Sequence, residues 1–291
     1  MSEPLLSEKE LTRLRRLALA GVRVQRASAR GERATRQFGA GQEFAAHRAY
    51  ITGDDLRRVD WNVYGRLGQL FLKLFEAPGR LRVVIGLDAS PTMDFGAHNK
   101  WLAARRTAAA CAVMSLSGAD RVWLGTLDST PQSFEGAAEA RLVETLSGMK
   151  CAPAAQASPR ALLQQVAAGG ADTVLMLLSD FQDRAAPMAL LQECHRRGGR
   201  AAALCVHATE ELNPAMEGFA RLCAPGFDDL KLRLDARLLE LYRQEVSRLR
   251  AATAAAVRAT GAAWIEIDSA APMEPVITSL SRAGMLASRP G

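Results

Sequence analysis

The chain has 291 residues, 48% of them apolar and 23% charged, the composition of a folded globular protein long enough to bury a sizeable core. No apolar run is long enough to cross a bilayer and no basic-then-apolar leader opens the sequence, so it reads as a cytoplasmic protein without a membrane span. The formal charge of +6 lies entirely in the first 80 residues, which hold 15 Lys/Arg against 9 Asp/Glu, while residues 81–291 hold 22 of each. The five cysteines are odd in number, widely spaced and form no C-x-x-C pair, which argues for reduced thiols. Cys194-His195 and Cys205-x-His207 match no common zinc spacing.

Residues 7–29 carry Leu11, Leu14, Leu17, Val22 and Val24 in a helical rhythm, opened by a capping box of Ser7 and Glu10. Arg13, Arg15, Arg16, Arg23, Arg26, Arg30, Arg33 and Arg36 make this the densest basic stretch, opposed locally by Glu32. Such a stretch can face nucleic acid, anionic lipid or an acidic protein, or it can fold back on the chain's own carboxylates. No aromatic residues interleave the arginines, which favours the second reading and makes a nucleic-acid partner the weaker one. Residues 30–46, rich in Gly, Ala and Arg, read as a loop. A dense polar box follows over residues 47–61. Two β-like runs, residues 70–75 and 81–87, flank Glu76-Ala77-Pro78-Gly79-Arg80, and the Pro-Gly step between them predicts a hairpin.

From residue 82 onward strand and helix patterns alternate. Strands are expected at 83–87, 121–127, 132–134, 173–178, 201–206 and 264–267. Helices are expected at 100–116, 138–146, 159–168, 187–197, 235–260 and 273–282, with Asp235 as an N-cap and Gly261 just past the end of the longest. This alternation predicts an α/β fold with a doubly wound, mostly parallel sheet over residues 81–291, preceded by a basic extension over residues 1–80 that holds the first helix, the polar box and a hairpin strand.

In such sheets ligands sit at the carboxyl ends of the strands. Two predicted strand ends carry aspartates: Asp88, which opens the loop Asp88-Ala89-Ser90-Pro91-Thr92, and Asp180. One carboxylate and two hydroxyls from a single turn, with a second carboxylate beside them, suit a small hard cation. Mg²⁺ fits best, with Mn²⁺ or Ca²⁺ as alternatives.

The Asp-x-Ser-x-Thr loop after a buried strand resembles the metal-ion-dependent adhesion site of von Willebrand factor A domains. That resemblance implies Asp88, Ser90 and Thr92 as ligands from the first loop and Asp180 from the third. For the second loop the best match is Ser158, ahead of Pro159-Arg160-Ala161-Leu162, although Gln156-Ala157-Ser158 lacks the usual glycine-threonine. The polar box is more specific. Arg48, Tyr50, Gly53, Asp54, Asp55, Arg57, Arg58, Asp60 and Trp61, followed by Tyr64, Arg66 and Gly68, resemble a bacterial domain-of-unknown-function family, number fifty-eight. Members of that family look like binding proteins associated with MoxR-type AAA+ ATPases. The resemblance implies a non-enzymatic, Mg²⁺-dependent adaptor that grips an acidic residue of a client protein, with the ATPase supplying the energy. In the box itself, arginines alternate with aspartates closely enough to form either an internal ion-pair network or a docking face.

Two rival functions follow from the same residues. The loop also resembles the Mg²⁺-dependent haloacid dehalogenase phosphohydrolase motif with Asp88 as nucleophile, but Ser90 stands where that chemistry needs a second carboxylate. Nucleic-acid binding through the basic arm is the other, and it predicts strong salt dependence. No phosphate-cradling G-x-x-x-x-G-K-[ST], no G-x-S-x-G elbow and no H-E-x-x-H is present.

Overall fold

The computed structural model describes residues 4–20, 44–50, 59–75, 80–151, 158–214, 218–222 and 230–288. By internal contacts these fall into two units: residues 80–289 together with the N-terminal 24 residues, and residues 25–79 with the last two. This division departs from a boundary placed at residue 80. Helix α1 (Glu8–Leu14) has the expected capping box, but it ends early and the chain turns into strand β1 (Leu17–Leu19). Leu5, Leu6, Leu14 and Leu19 are buried in the main core, which ties this segment to the larger unit. Arg13 pairs with Glu274 and Arg15 with Glu139, so two of the N-terminal arginines do meet the chain's own carboxylates.

In the smaller unit, β2 (Phe44–Ala49) pairs antiparallel with β3 (Phe71–Phe75), and α2 (Trp61–Leu67) lies between them in sequence. Asp60 caps that helix by accepting from the backbone N–H of Asn62 and Val63, and Gly68 ends it at φ 64°. The Trp61 and Tyr64 rings meet edge-on. Gly53, Asp54, Asp55, Arg57 and Arg58, which carry the ion-pair network or docking face expected of the box, lie outside the described residues, as does the side chain of Arg48.

The predicted hairpin between residues 70–75 and 81–87 does not form. β4 (Arg82–Leu87) instead pairs in parallel with β5 (Arg121–Thr126) on one side and β7 (Thr173–Ser179) on the other. Both its edges are therefore taken, and β3 finds its partner in β2. The run Val83-Val84-Ile85-Gly86-Leu87 is apolar without alternation because both faces of this central strand are buried. Val83, Ile85 and Leu87 face one core and Val84 the other. Each such side chain contributes about 1.5–3 kcal/mol by leaving water.

The main sheet has six strands in the order β11-β8-β7-β4-β5-β6, where β6 is Gln132–Phe134, β8 Arg200–His207 and β11 Ala263–Asp268. All neighbours are parallel except β5 and β6. Helices α3 (Lys100–Ser117), α4 (Glu139–Gly148) and α9 (Met273–Arg282) cover one face, and α5 (Arg160–Gly169), α6 (Ala185–Arg196) and α8 (Ala236–Ala259) the other. Helix α3 is buried almost all round, and its alanines at 104, 108, 109, 110 and 112 let it sit close against its neighbours. Gly86 serves the opposite face in the same way: an added Cβ there would stand 3.2 Å from the Leu162 and Leu177 side chains. After β8 come the short helix α7 (Thr209–Leu212) and an antiparallel pair, β9 (Gly218–Leu222) with β10 (Leu230–Leu234). Finally β12 (Leu286–Ser288) pairs with β1. None of these small elements carries enough periodic sequence to announce itself. No helix among the described residues is long and apolar enough to cross a membrane.

Candidate metal centre

The chain leaves β4 toward β5 and β6 on one side and returns to β7, β8 and β11 on the other, so the topological switch point lies between β4 and β7. Asp88 follows β4 directly and Asp180 follows β7 directly. The two strand ends are stitched together. The Asp88 N–H donates to the Leu178 carbonyl at 2.8 Å, and the buried Ser179 hydroxyl donates to Asp88 Oδ2 at 2.7 Å. Asp88 Oδ1 accepts from the Ser90 N–H at 2.9 Å, which folds the loop over its own aspartate. The chain then enters a single 3-10 turn, Pro91–Met93.

Within this loop Ser90 Oγ and Thr92 Oγ1 are hydrogen-bonded to each other at 3.0 Å, and either hydroxyl can be the donor. Adjacent corners of an octahedron with metal–oxygen bonds of about 2.1 Å are about 3.0 Å apart, so the two hydroxyls already have the spacing of neighbouring Mg²⁺ ligands. Asp88 is buried and each of its oxygens accepts one hydrogen bond, leaving a lone pair on each. The donor set Asp88, Ser90 and Thr92 fits a small hard cation. Among the described residues no group of three or more His, Cys, Asp or Glu side chains is placed to hold a metal, so any centre here depends on the hydroxyls.

Asp180 is differently employed. Its Oδ2 accepts from Lys100 Nζ at 2.9 Å, and its Oδ1 accepts from the Gln182 N–H at 3.1 Å. Lys100 is fully buried, and its ammonium also reaches Glu211 Oε1 on α7 at 2.5 Å. Burial alone would lower the lysine pKa, but Asp180 and Glu211 outweigh it and hold the group above its ordinary value. The second carboxylate of the predicted set is thus paired with an internal cation. Phe181, next in the chain, sits in the left-handed region at φ 57°, anchored by its N–H on Ser179 Oγ and by its ring against Trp264. That strained turn fixes where Asp180 points. Ser158 is exposed just before α5 and has no hydrogen bond to the Asp88 loop among the described residues.

Sequence reading missed Lys100 and Glu211. A signal was available: Lys100 is the first residue of α3, the end of a helix that disfavours cations, and a lysine there calls for anionic partners. Glu211 does double duty, since its Oε2 accepts from the Ala208 N–H and starts α7. Its neighbour Glu210 accepts from the Ala97 N–H at 3.0 Å. Gly96 makes that contact feasible: at φ 92°, an added Cβ would stand 2.7 Å from Ala208 Cβ. Asp94 accepts from the Asn99 side chain, and Asn99 in turn caps α3, so Asp94 supports the loop rather than joining the donor set.

Fold and rim together define a doubly wound α/β protein with a carboxylate-and-hydroxyl loop at its switch point. The chain belongs to the family described as "Protein of unknown function DUF58", whose model matches residues 46–231. Among solved structures it is similar to the conserved hypothetical protein BatB from Bacteroides thetaiotaomicron, with 11% identity and a TM-score of 0.44 over 70% of this chain and 98% of that one. It is also similar to an aerotolerance-related membrane protein from Bacteroides fragilis, crystallised with multiple mutations to serines, with 14% identity and a TM-score of 0.43 over the same shares. No curated protein matches.

Proposed function

We propose that the protein is a non-enzymatic adaptor of von Willebrand factor A type that binds Mg²⁺ through Asp88, Ser90 and Thr92. In this reading it grips an acidic residue of a client protein and works with a MoxR-type AAA+ ATPase in the assembly or activation of that client. The observation that carries the metal reading is the 3.0 Å spacing of the Ser90 and Thr92 hydroxyls in the loop that Asp88 opens and ties down by accepting from the Ser90 N–H. When bound, the ion supplies a positive centre with positions open to a partner carboxylate. Asp88 offers the negative charge, Ser90 and Thr92 fix the geometry, and Ser158 is the hydroxyl that the resemblance assigns to the second loop. Asp180 takes part through Lys100 or through water. The ATPase partnership rests on family resemblance alone, and the missing phosphate cradle is consistent with energy coming from a separate protein.

The deciding experiment is a pull-down of a purified MoxR-type AAA+ ATPase by wild type and Asp88→Ala, each with and without EDTA. Recovery is expected from wild type in Mg²⁺ alone. Equal recovery in all four arms refutes a metal-mediated grip.

A native reporter tests the ion itself. Burial, then the charges of Asp94 and Asp88, push the half-buried Cys151 thiol from 9.0 up to about 11. The thiolate is the reactive form but grows more nucleophilic as its pKa rises, so iodoacetamide should modify Cys151 about tenfold more slowly than an unperturbed thiol at neutral pH. A cation beside Asp88 offsets part of that negative field. Mg²⁺ should therefore speed Cys151 alkylation in wild type and leave Asp88→Asn unchanged, as read by site-resolved mass spectrometry. The same Mg²⁺ effect in both proteins would rule out an ion at Asp88.

A further inference from the structure

A groove of about 750 Å³ runs along one end of the main sheet, far in sequence from the Asp88 loop. Trp264, Ile265 and Glu266 all line it. Successive strand side chains point to opposite faces, so three consecutive residues can line one groove only where it follows the strand's edge. β11 is the end strand of the sheet, paired on its inner side with β8, and among the described residues no strand pairs with its outer edge. Its backbone N–H and C=O groups on that side are ready for a further strand.

The groove walls are built for a chain to enter. On α8 the small residues Ala251 and Ala254 give room for a backbone beside β11, and α9 forms the opposite wall. The charges are one-sided. Arg250 is paired with Glu266 at 2.8 Å, whereas the guanidinium groups of Arg258 and Arg282 have no hydrogen-bond or ion-pair partner among the described residues. Three guanidinium groups against one carboxylate leave an excess of positive charge along the edge. A second copy of this chain would bring the same charge to the same edge and be repelled. Nucleic acid has no peptide backbone to continue a sheet.

We propose that this groove docks an extended acidic segment of a partner protein, added as a strand to the outer edge of β11. Main-chain hydrogen bonds supply the pairing, and Arg258 and Arg282 select carboxylate-bearing side chains. The six residues of β11 span about 20 Å, which sets the length of strand that can be accommodated. This surface is separate from the metal loop, so the protein would present two contact sites to partners.

The test uses the full chain and a fluorescein-labelled peptide of alternating glutamate and valine, followed by anisotropy. Two control peptides replace glutamate with lysine or block alternate backbone amides by N-methylation. The glutamate peptide should bind, and Arg258→Glu/Arg282→Glu should weaken it by about a hundredfold, about tenfold for each arginine–carboxylate pair removed. Both control peptides should bind at least about tenfold more weakly. The titration is run in EDTA, which keeps an ion at the Asp88 loop from gripping the same glutamates and so separates this groove from the metal centre. Equal binding of the glutamate and lysine peptides, or no effect of the charge reversals, overturns the proposal. So does failure of the glutamate peptide to bind at millimolar concentration, in which case the arginines merely guard an open edge. Sedimentation that shows a dimer dissolved by Arg258→Glu/Arg282→Glu overturns it as well, by assigning the groove to a second copy.

Discussion

Lys100→Met should destabilise the protein by about 3 kcal/mol, at the lower end of the cost of removing one partner from a buried ion pair. The ammonium has no exposure and holds two carboxylates from different elements, Asp180 after β7 and Glu211 on α7. Without it Asp180 is left almost buried and uncompensated, while Glu211, partly exposed, recovers some hydration. For a unit of this size that loss corresponds to a drop in Tm of about 6–10 °C. The triple variant Lys100→Met/Asp180→Asn/Glu211→Gln removes the stranded charges and should recover most of it. Chemical denaturation of the three proteins checks both statements, and a single variant within about 0.5 kcal/mol of wild type would show that the pairing contributes nothing. The sign with pH is fixed by direction. The folded-state lysine pKa is raised, so its contribution is complete below the unfolded-state value and fades only as pH rises through the folded one. Across the neutral range it should stay constant.

The consequence of this triad reaches beyond stability. Lys100 begins α3, Asp180 directly follows β7, and Glu211 lies in the first turn of α7, so one ammonium joins three segments at the rim where the Asp88 loop sits. Tyr242 on α8 donates to the Glu211 carbonyl at 2.8 Å, which extends the network to the longest helix. Any ligand that draws Asp180 away from Lys100 must leave the lysine to Glu211 alone.

Much of this architecture is legible in the sequence because its period signals are long. The unbroken run Val83–Leu87, the amphipathic stretch after Asp235 and the regular alternation between them give the strands, helices and parallel class directly. Asp235 and Gly261 mark the helix ends by cap chemistry, and the structure places them there, with Gly261 at φ 77°. The hairpin expectation failed for a reason local rules cannot see: Pro78-Gly79 permits a reversal, but the edges of β4 are claimed by β5 and β7, which are distant in sequence. The first helix was over-extended because Leu17 keeps the helical rhythm, while β12, near the other end of the chain, draws it into a strand. At the site, Asp88, Ser90 and Thr92 were readable as one turn. The role of Asp180 was not, because its partner is a lysine whose significance depends on burial.

Asp88→Asn should abolish Mg²⁺ binding, whereas Asp180→Asn should change it by less than about threefold, and this asymmetry follows from charge accounting at the rim. Asp88 keeps a lone pair on each oxygen and opens the loop that carries both hydroxyls; converting it to an amide removes the carboxylate of that donor set and places an N–H₂ donor against Ser90 N–H or Ser179 Oγ. Asp180 spends its charge on Lys100, so its loss takes little from an ion near Ser90 and Thr92. Titration calorimetry with Mg²⁺, with Mn²⁺ as a second probe by paramagnetic relaxation, distinguishes the cases. Equal loss in both variants would mean that Asp180 leaves Lys100 to coordinate the ion directly. Unchanged affinity in Asp88→Asn would move the ion away from this loop. In either failure the buried triad and its stability effect stand, because they depend only on interactions between the chain's own side chains.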